Sequence, residues 1–469
     1  MREAPLRPPP LTPGSIAASG LCIGCGACAG LQSPDEAVMA WDGHGELKPR
    51  AASDRPPAGS RAFAAICPFS PEARDETAIA AEAFPDAAVD HPLVGRFEAA
   101  YVGHAEEDGF RLSGSSGGMV SWVAAELVRR KLVDGIAHVA PLDGTGGPLF
   151  GYRVSRTIDE VRRGAKSRYH PVHLADVLRE IRARPGRYAI VGVPCFVKAI
   201  RLLGTQDPVL RKRIPFTLGL FCGHMKSSRF VDSFAWQMGV SRDAVARVEY
   251  RLKNPDRPAN WYTAHLTLAD GRAVWKDWWH LADGDWGAGF FQNAACNYCD
   301  DVVAETADIA FGDAWVEPYS SDGRGTNVVI VRSPLFHRMV ETARQEGRLT
   351  LQPVDADFIV ATQEAGLRHR REGLAYRLTW SKRGILPRKR VFPSRAGITA
   401  RRRLVYRMRA IIAKWSHRVA WLARRLDIPG LYVRWARLML AAYQALTYSR
   451  GSIGRACDAI ERLLARVGR

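Results

Sequence analysis

Nine cysteines in 469 residues are the first side chains that could do chemistry. Cys22, Cys25 and Cys28 stand in a C-x2-C-x2-C run, with Gly24 and Gly26 between them. Two-residue spacing lets three thiolates turn inward around one cubane cluster, and the glycines permit the tight turns this requires. A fourth ligand is needed, and Cys67, followed by Pro68, is the candidate. Zinc is the alternative occupant. Its ribbons use paired C-x2-C units, so three cysteines this close fit a 4Fe-4S site better.

Four more cysteines lie further on. Cys195 follows the strand-like run Tyr188–Val193, and Cys222 follows Phe216–Phe221. If those strands are parallel neighbours, both cysteines emerge at one carboxyl edge, where α/β proteins place their sites. Cys296 and Cys299 form a C-x2-C in a loop that could complete a four-thiolate set, for a second cluster or for zinc. The other reading of Cys195 and Cys222 is as small buried hydrophobes. Cys457 is left over in a helical pattern and reads as structural.

A different chemistry is suggested by Ser115-Ser116-Gly117-Gly118. A Gly/Ser loop opening a helix, here Met119–Arg130, offers free backbone N–H groups and a positive dipole end to phosphate. Lys166-Ser167-Arg168-Tyr169 adds two cations, a hydroxyl and an aromatic ring, which suit a pyrophosphate and a stacked ring system. Taken singly, each motif also matches an ordinary turn or a solvated surface.

These residues need elements to position them. Short apolar runs bounded by Gly or Pro, among them Tyr188–Val193, Phe216–Phe221 and Asn327–Val331, alternate with helical patterns. That alternation predicts an α/β fold, a mixed or parallel sheet flanked by helices. The chain divides into a flexible lead (1–20), a cysteine-bearing segment (21–95), an α/β core (96–352), a connector ending in a basic linker (353–395) and a basic helical tail (396–469). Hydrophobic residues make up 47%, enough for a sizeable core. No run of apolar residues is long enough to span a bilayer, and the Pro-rich start lacks the apolar centre of a signal peptide. The expectation is a cytoplasmic protein with reduced thiols, in which cysteines bind metal rather than pair with each other.

The charge is uneven. The net +19 comes from residues 381–469, which hold 22 Lys or Arg and three acids. There Leu404, Met408, Ile411, Trp415, Val419, Leu422 and Leu426 make one apolar stripe on a helix, with most basic residues outside it. Pro429-Gly430 breaks that helix, and Leu431, Trp435, Leu438, Tyr443 and Leu446 begin a second pattern. A basic amphipathic helix with Trp residues suits an anionic membrane surface at the inner face of the membrane. A helical hairpin packed on the body is the alternative of equal weight. Nucleic acid is a weaker third, because the tail carries no recognition fold.

In chain order, Cys22–Cys28, Ser115–Gly118, Lys166–Tyr169, Gly192–Cys195, Leu220–Cys222, Cys296–Cys299 and Asp308–Trp315 form a series. The series resembles the coenzyme F420 hydrogenase/dehydrogenase beta-subunit family over about residues 20–350. The resemblance is most specific at Gly192-Val193-Pro194-Cys195 and at Cys296–Cys299 followed by Asp308–Trp315. It implies FAD beside one or two 4Fe-4S clusters. The flavin loop maps onto Ser115, Ser116, Gly117 and Gly118, and the basic Ser-Tyr motif onto Lys166, Ser167, Arg168 and Tyr169. The implied architecture is a ferredoxin-like iron–sulfur segment, a mixed α/β flavin and iron–sulfur core, and basic C-terminal helices. The implied activity passes electrons between a hydride carrier such as coenzyme F420, or ferredoxin, and the flavin, the clusters and a partner protein or substrate. The chain departs from the family at Phe196, where Gln is frequent, and at Cys222-Gly223-His224, where Cys-His-Gly is common. His224 and Asp313 are candidate general bases, though a strand-end cap and a turn Asp are the plainer readings. Two other classes stand beside this one: an electron-transfer subunit with no substrate of its own, and a zinc-stabilised protein that binds nucleic acid through its tail.

Overall fold

The apolar runs of the core pair into one mixed sheet of eight strands. In the computed structural model, residues 11–51, 61–142, 147–380, 384–452, 454–456, 458–459 and 461 are described; Cys457 lies outside them. The strands are β1 (Ala99–Ala105), β2 (Gly135–Pro141), β3 (Phe150–Ser155), β4 (Tyr188–Gly192), β5 (Phe216–Leu220), β6 (Ile309–Asp313), β7 (Asn327–Val331) and β8 (Leu349–Pro353). Their order across the sheet is β8-β1-β7-β6-β5-β4-β2-β3. Strands β2, β4, β5 and β6 pair in parallel. Strand β1 runs the same way, because two antiparallel steps through β7 separate it from β6. The carboxyl ends of all five therefore open on one edge of the sheet.

Both faces of the sheet are covered. Tyr188 and Ile190 of β4 enter one core, and the alternate residues Ala189 and Val191 enter another. On β7 the same alternation sends Val329 and Val331 one way and Val328 and Ile330 the other. Strands buried on both sides need apolar residues at every position, which is why they read as unbroken runs. The main helices are α1 (Met119–Arg129), α2 (Ala175–Ala183), α3 (Pro194–Gly204), α4 (Pro334–Gln345), α5 (Ala400–Arg425) and α6 (Pro429–Tyr448). Helices α1 and α4 pack in one core through Trp122, Val123, Phe336 and Met339. Helices α2, α3, α5 and α6 pack in the other, with the cysteine-bearing segment.

That segment is pinned rather than loosely tethered. Arg179 of α2 donates to the carbonyls of Ala29 (2.9 Å), Gln32 (3.0 Å) and Ala37 (2.7 Å). The lead expected to be flexible over 1–20 is ordered from Thr12 onward, with residues 1–10 outside the described set. Thr12 caps the helix Pro13–Ala18, and Ser15 returns the bond to the Thr12 N–H, a reciprocal box that satisfies two backbone donors.

The tail takes the form of the helical hairpin that the sequence offered as one of two equal readings. Helices α5 and α6 form a hairpin whose turn holds Asp427 at φ 53°, and Pro429 starts α6 at its first turn instead of merely stopping α5. The side of α5 facing the body is Tyr406, Ile412, Ala413, Ser416, His417, Ala420 and Ala423. Small residues there let the helix approach closely, and Ser416 Oγ accepts the Phe291 N–H at 2.8 Å. The expected stripe instead points outward at five positions: Leu404, Ile411, Trp415, Leu422 and Leu426 are 41–53% exposed.

Phe336 is fully buried and meets the ring of Phe216, at the foot of β5, with ring centroids 5.5 Å apart. Replacing Phe336 with Ala should cost about 3–5 kcal/mol of stability, read as a lower thermal midpoint.

Candidate functional site

The carboxyl edge of the sheet gathers Cys195 and Cys222, and the other six cysteines of the two sets and the two phosphate motifs lie around it. The loop carrying Cys22, Cys25 and Cys28 meets the body where the Leu174 N–H donates to the Cys25 carbonyl at 2.8 Å. Gly24 holds φ at +79°, and a Cβ there would lie 2.5 Å from the Leu47 carbonyl oxygen, so only glycine fits the turn. Cys67 ends the helix Arg61–Ile66. These four cysteines line one small apolar pocket together with Ile16, Leu21, Phe63 and Phe69. Burial pushes each thiol up, Cys25 to about 12, and repulsion among the cysteines adds to the rise at Cys25, Cys28 and Cys67. Lys48 opposes the rise at Cys22, beside which its ammonium donates to the Cys22 carbonyl at 2.7 Å.

The second set forms as strand geometry requires. Strands β4 and β5 are parallel neighbours, so Cys195, in the first turn of α3, and Cys222, just beyond β5, leave the sheet side by side. Cys296 and Cys299 come in on a 3-10 turn, where Cys296 Sγ accepts the Met225 N–H at 3.3 Å. All four thiols are pushed up by burial, Cys222 to about 11 and Cys296 to about 12, and Cys195 is raised further by the other three. The two sets are neighbours: Cys195 feels the field of Cys25, and both act on Tyr152. Among the described residues, no three Cys, His, Asp or Glu side chains close on a point as a single ion requires.

A buried guanidinium faces the second set. Arg370 is 2% exposed and counters the rise at Cys222, Cys296 and Cys299. It donates to the carbonyls of Cys222 (3.0 Å) and Gly223, and its other terminal nitrogen has no hydrogen-bond partner. Behind the C-x2-C turn lies an ionic network. Lys389 and Arg390, from the basic linker, are buried against Asp300 and Glu305, and Lys198 of α3 reaches Glu76 at 3.1 Å. Burial opposes the charge on Asp300, but Lys389 and Arg390 outweigh it and hold the carboxyl well below its usual range.

The phosphate motifs also meet. The Ser167 N–H donates to Ser115 Oγ at 2.8 Å. Gly118 caps α1 at φ 81°, and the Met119 N–H donates to Asn327 Oδ1 at 3.2 Å. Ser116 Oγ donates to the Thr326 carbonyl at 2.9 Å, so the start of β7 supports the loop. Lys253 donates to the carbonyls of Arg111 (2.6 Å), Ser116 (2.8 Å) and Arg324 (2.6 Å), clamping the loop from beneath. Lys166 has φ 94° and pairs with Glu249 at 2.7 Å. Arg168 stacks over Phe150 at 5.0 Å.

Aromatic side chains connect the phosphate motif to the second thiol set. Tyr169 meets Trp286 with ring centroids 4.7 Å apart, and Trp286 stacks on His224 at 4.2 Å, two residues beyond Cys222. Of the two general-base candidates, His224 is held neutral by burial and by Lys226, Arg409 and Arg370. Asp313 is engaged with Arg251 at 3.0 Å. Arg370, Lys253, Asn327, Trp286 and Tyr152 were not singled out from the sequence. Each is an isolated residue of a common type, and no spacing marks it.

Two family models match the chain, both of the coenzyme F420 hydrogenase/dehydrogenase beta subunit. The one for its N-terminal part matches residues 100–179, and the one for its C terminus matches 186–357. Together they span more than half of the sequence, and leave the first cysteine run and the tail outside. Among solved structures, a chain of the xenon-derivatised F420-reducing NiFe hydrogenase complex from Methanosarcina barkeri aligns at 16% identity and TM-score 0.48, covering 64% of this chain and 98% of that one. No curated protein sequence matches.

The clamp at Lys253 makes a prediction about pH. Burial, then Lys166, Arg111 and Arg251, pull this lysine down to about 7. Its charge is therefore present below about 7 and lost above, and only the ammonium can donate to all three carbonyls. Affinity for a phosphate-bearing ligand at Ser115–Gly118, measured by titration calorimetry, should fall as pH rises through 7. In Lys253→Met that dependence should flatten, with affinity about tenfold lower than wild type below pH 7 and close to wild type above it.

Proposed function

Because the chain belongs to the coenzyme F420 hydrogenase/dehydrogenase beta-subunit family, and so to an oxidoreductase system, we propose that it is a flavin and iron–sulfur electron carrier. The observation that carries the reading is the adjacency of three features at one sheet edge: a Gly/Ser loop that opens a helix, and two sets of four thiols. Cys22, Cys25, Cys28 and Cys67 would hold one 4Fe-4S cluster, and Cys195, Cys222, Cys296 and Cys299 the other. Four thiols gathered without converging on one point suit a cubane, bound through four separate irons, better than a single ion. FAD would lie with its pyrophosphate at Ser115, Ser116, Gly117, Gly118, Lys166 and Ser167. Arg168 and Tyr169 would flank it.

When bound, the flavin exchanges electron pairs and the clusters exchange single electrons. The chain's own residues do the rest. Tyr169, Trp286 and His224 form a run of ring contacts from the Lys166–Tyr169 motif toward Cys222. Tyr152 lies within the field of both Cys195 and Cys25, with its hydroxyl donating to the Val191 carbonyl at 2.9 Å. Arg370 supplies positive charge beside the second set, which favours its more reduced, more negative state. The electron source is a hydride-carrying coenzyme such as F420, or reduced ferredoxin, and the acceptor is a redox partner. Anaerobic mixing with each donor, followed by flavin absorbance, distinguishes the two.

Protein purified without oxygen should contain about eight irons and one flavin per chain. Zinc in the absence of iron and flavin would overturn the proposal. Cys25→Ala and Cys299→Ala should each remove about four irons and leave flavin bound. In a redox titration followed by electron paramagnetic resonance, Arg370→Gln should lower the midpoint of the signal that Cys299→Ala abolishes. The shift should be on the order of 50 mV, with the other signal unmoved.

A further inference from the structure

The outer face of the C-terminal hairpin is unlike the rest of the surface. Leu404, Ile411, Trp415, Leu422 and Leu426 recur along α5 at intervals of seven and four, and all are 41–53% exposed. Ile428 at 53%, Leu431 at 37% and Leu438 at 63% continue the apolar surface past the turn and along α6. A second row runs beside the stripe: Arg407, Lys414, Arg418 and Arg425 share the same seven-and-four spacing and are also exposed. Helix α6 adds the exposed Arg434 and Arg437. Between residues 400 and 452 the only acid is Asp427. Arg418 lies over the ring of Trp415 at 5.3 Å, and Arg425 over that of Trp421 at 5.9 Å.

We propose that this hairpin docks the protein on an anionic lipid surface, with α5 lying in the plane of the headgroups. Large apolar side chains, interfacial tryptophans and a row of cations on one helix face match the two halves of such a surface, acyl chains and phosphates. The helix rests on the membrane and does not cross it: among the described residues no helix is long and apolar enough to span one. A second copy of the chain is a poorer occupant, since the two basic rows would face each other as like charges. A nucleic acid would engage the arginines and leave Leu404, Ile411 and Leu422 in water.

The hairpin's inner face links this surface to the candidate site. Ser416 accepts the Phe291 N–H, and Tyr432 Oη donates to Asp283 at 3.0 Å. His417 approaches the Gln292 carbonyl at 3.2 Å, four residues before Cys296. Docking through α5 and α6 therefore holds the thiol-bearing loop near the lipid surface, which points to a membrane-associated redox partner or a lipid-borne substrate. The docking itself does not depend on the cofactor assignment.

The test is co-sedimentation of the full-length protein with vesicles of phosphatidylcholine alone, or of phosphatidylcholine mixed with phosphatidylglycerol. The expected result is salt-sensitive binding to the mixed vesicles and little to the neutral ones. Combining Lys414→Gln, Arg418→Gln and Arg425→Gln should weaken binding about 100-fold. Ile411→Asn with Trp415→Asn should abolish the part that survives high salt. All five positions are exposed, so circular dichroism and iron content should be unchanged. Equal binding to both vesicle types would overturn the proposal. So would absence of vesicle binding, whether the protein then sediments as a monomer or as a dimer that Ile411→Asn dissociates.

Discussion

The gathering of eight thiols at one sheet edge, Cys25 and Cys296 buried and the other six partly so, is the constraint on which the rest of this structure depends. A thiolate withdrawn from water is costly unless positive charge is near. The chain meets the constraint unequally at the two sets. Lys48 is the cation beside the first, and it is itself paired with Glu46 at 2.8 Å. The second has the buried guanidinium of Arg370, and Lys389 also opposes the rise at Cys299. The two sets therefore lie in environments of different charge, with Tyr152 close enough to Cys195 and Cys25 to feel both.

The ionic network behind Cys299 shows how much of the chain this edge organises. Glu76 comes from the cysteine-bearing segment, Lys198 from α3, Asp300 and Glu305 from the loop after the C-x2-C, and Lys389 and Arg390 from the linker. Breaking one partner of such a network leaves an uncompensated buried charge, so the pieces hold each other in place. Residues that look like a solvated basic linker in the sequence are here part of the interior.

The tail extends the same logic. The family models end at residue 357, and α5 and α6 lie beyond them. They are packed on the body through alanines and Ser416 together with Tyr406, Ile412, His417 and Tyr432, and five large apolar residues of α5 are left on the outer side. A helix normally turns its largest apolar side chains inward. This one turns Ala413, Ser416, Ala420 and Ala423 inward beside Ile412 and His417, and that mixture permits close approach to the loop bearing Cys296.

What the sequence determined by itself were features that depend on neighbours in the chain. The α/β class followed from apolar runs whose length and spacing suit strands buried on two faces. The turn at Cys22–Cys28 followed from glycine spacing, and the shared edge of Cys195 and Cys222 from the rule that parallel strands end on one side. The tertiary structure alone decided the rest. Arg370 lies 71 positions from Cys299, and Lys253 lies 137 from Ser116; no local pattern marks either one. The direction of the α5 stripe was equally hidden. Periodicity locates an apolar face, but only packing decides whether that face or its small-residue opposite meets the body, because close helix approach can outweigh the burial of larger side chains.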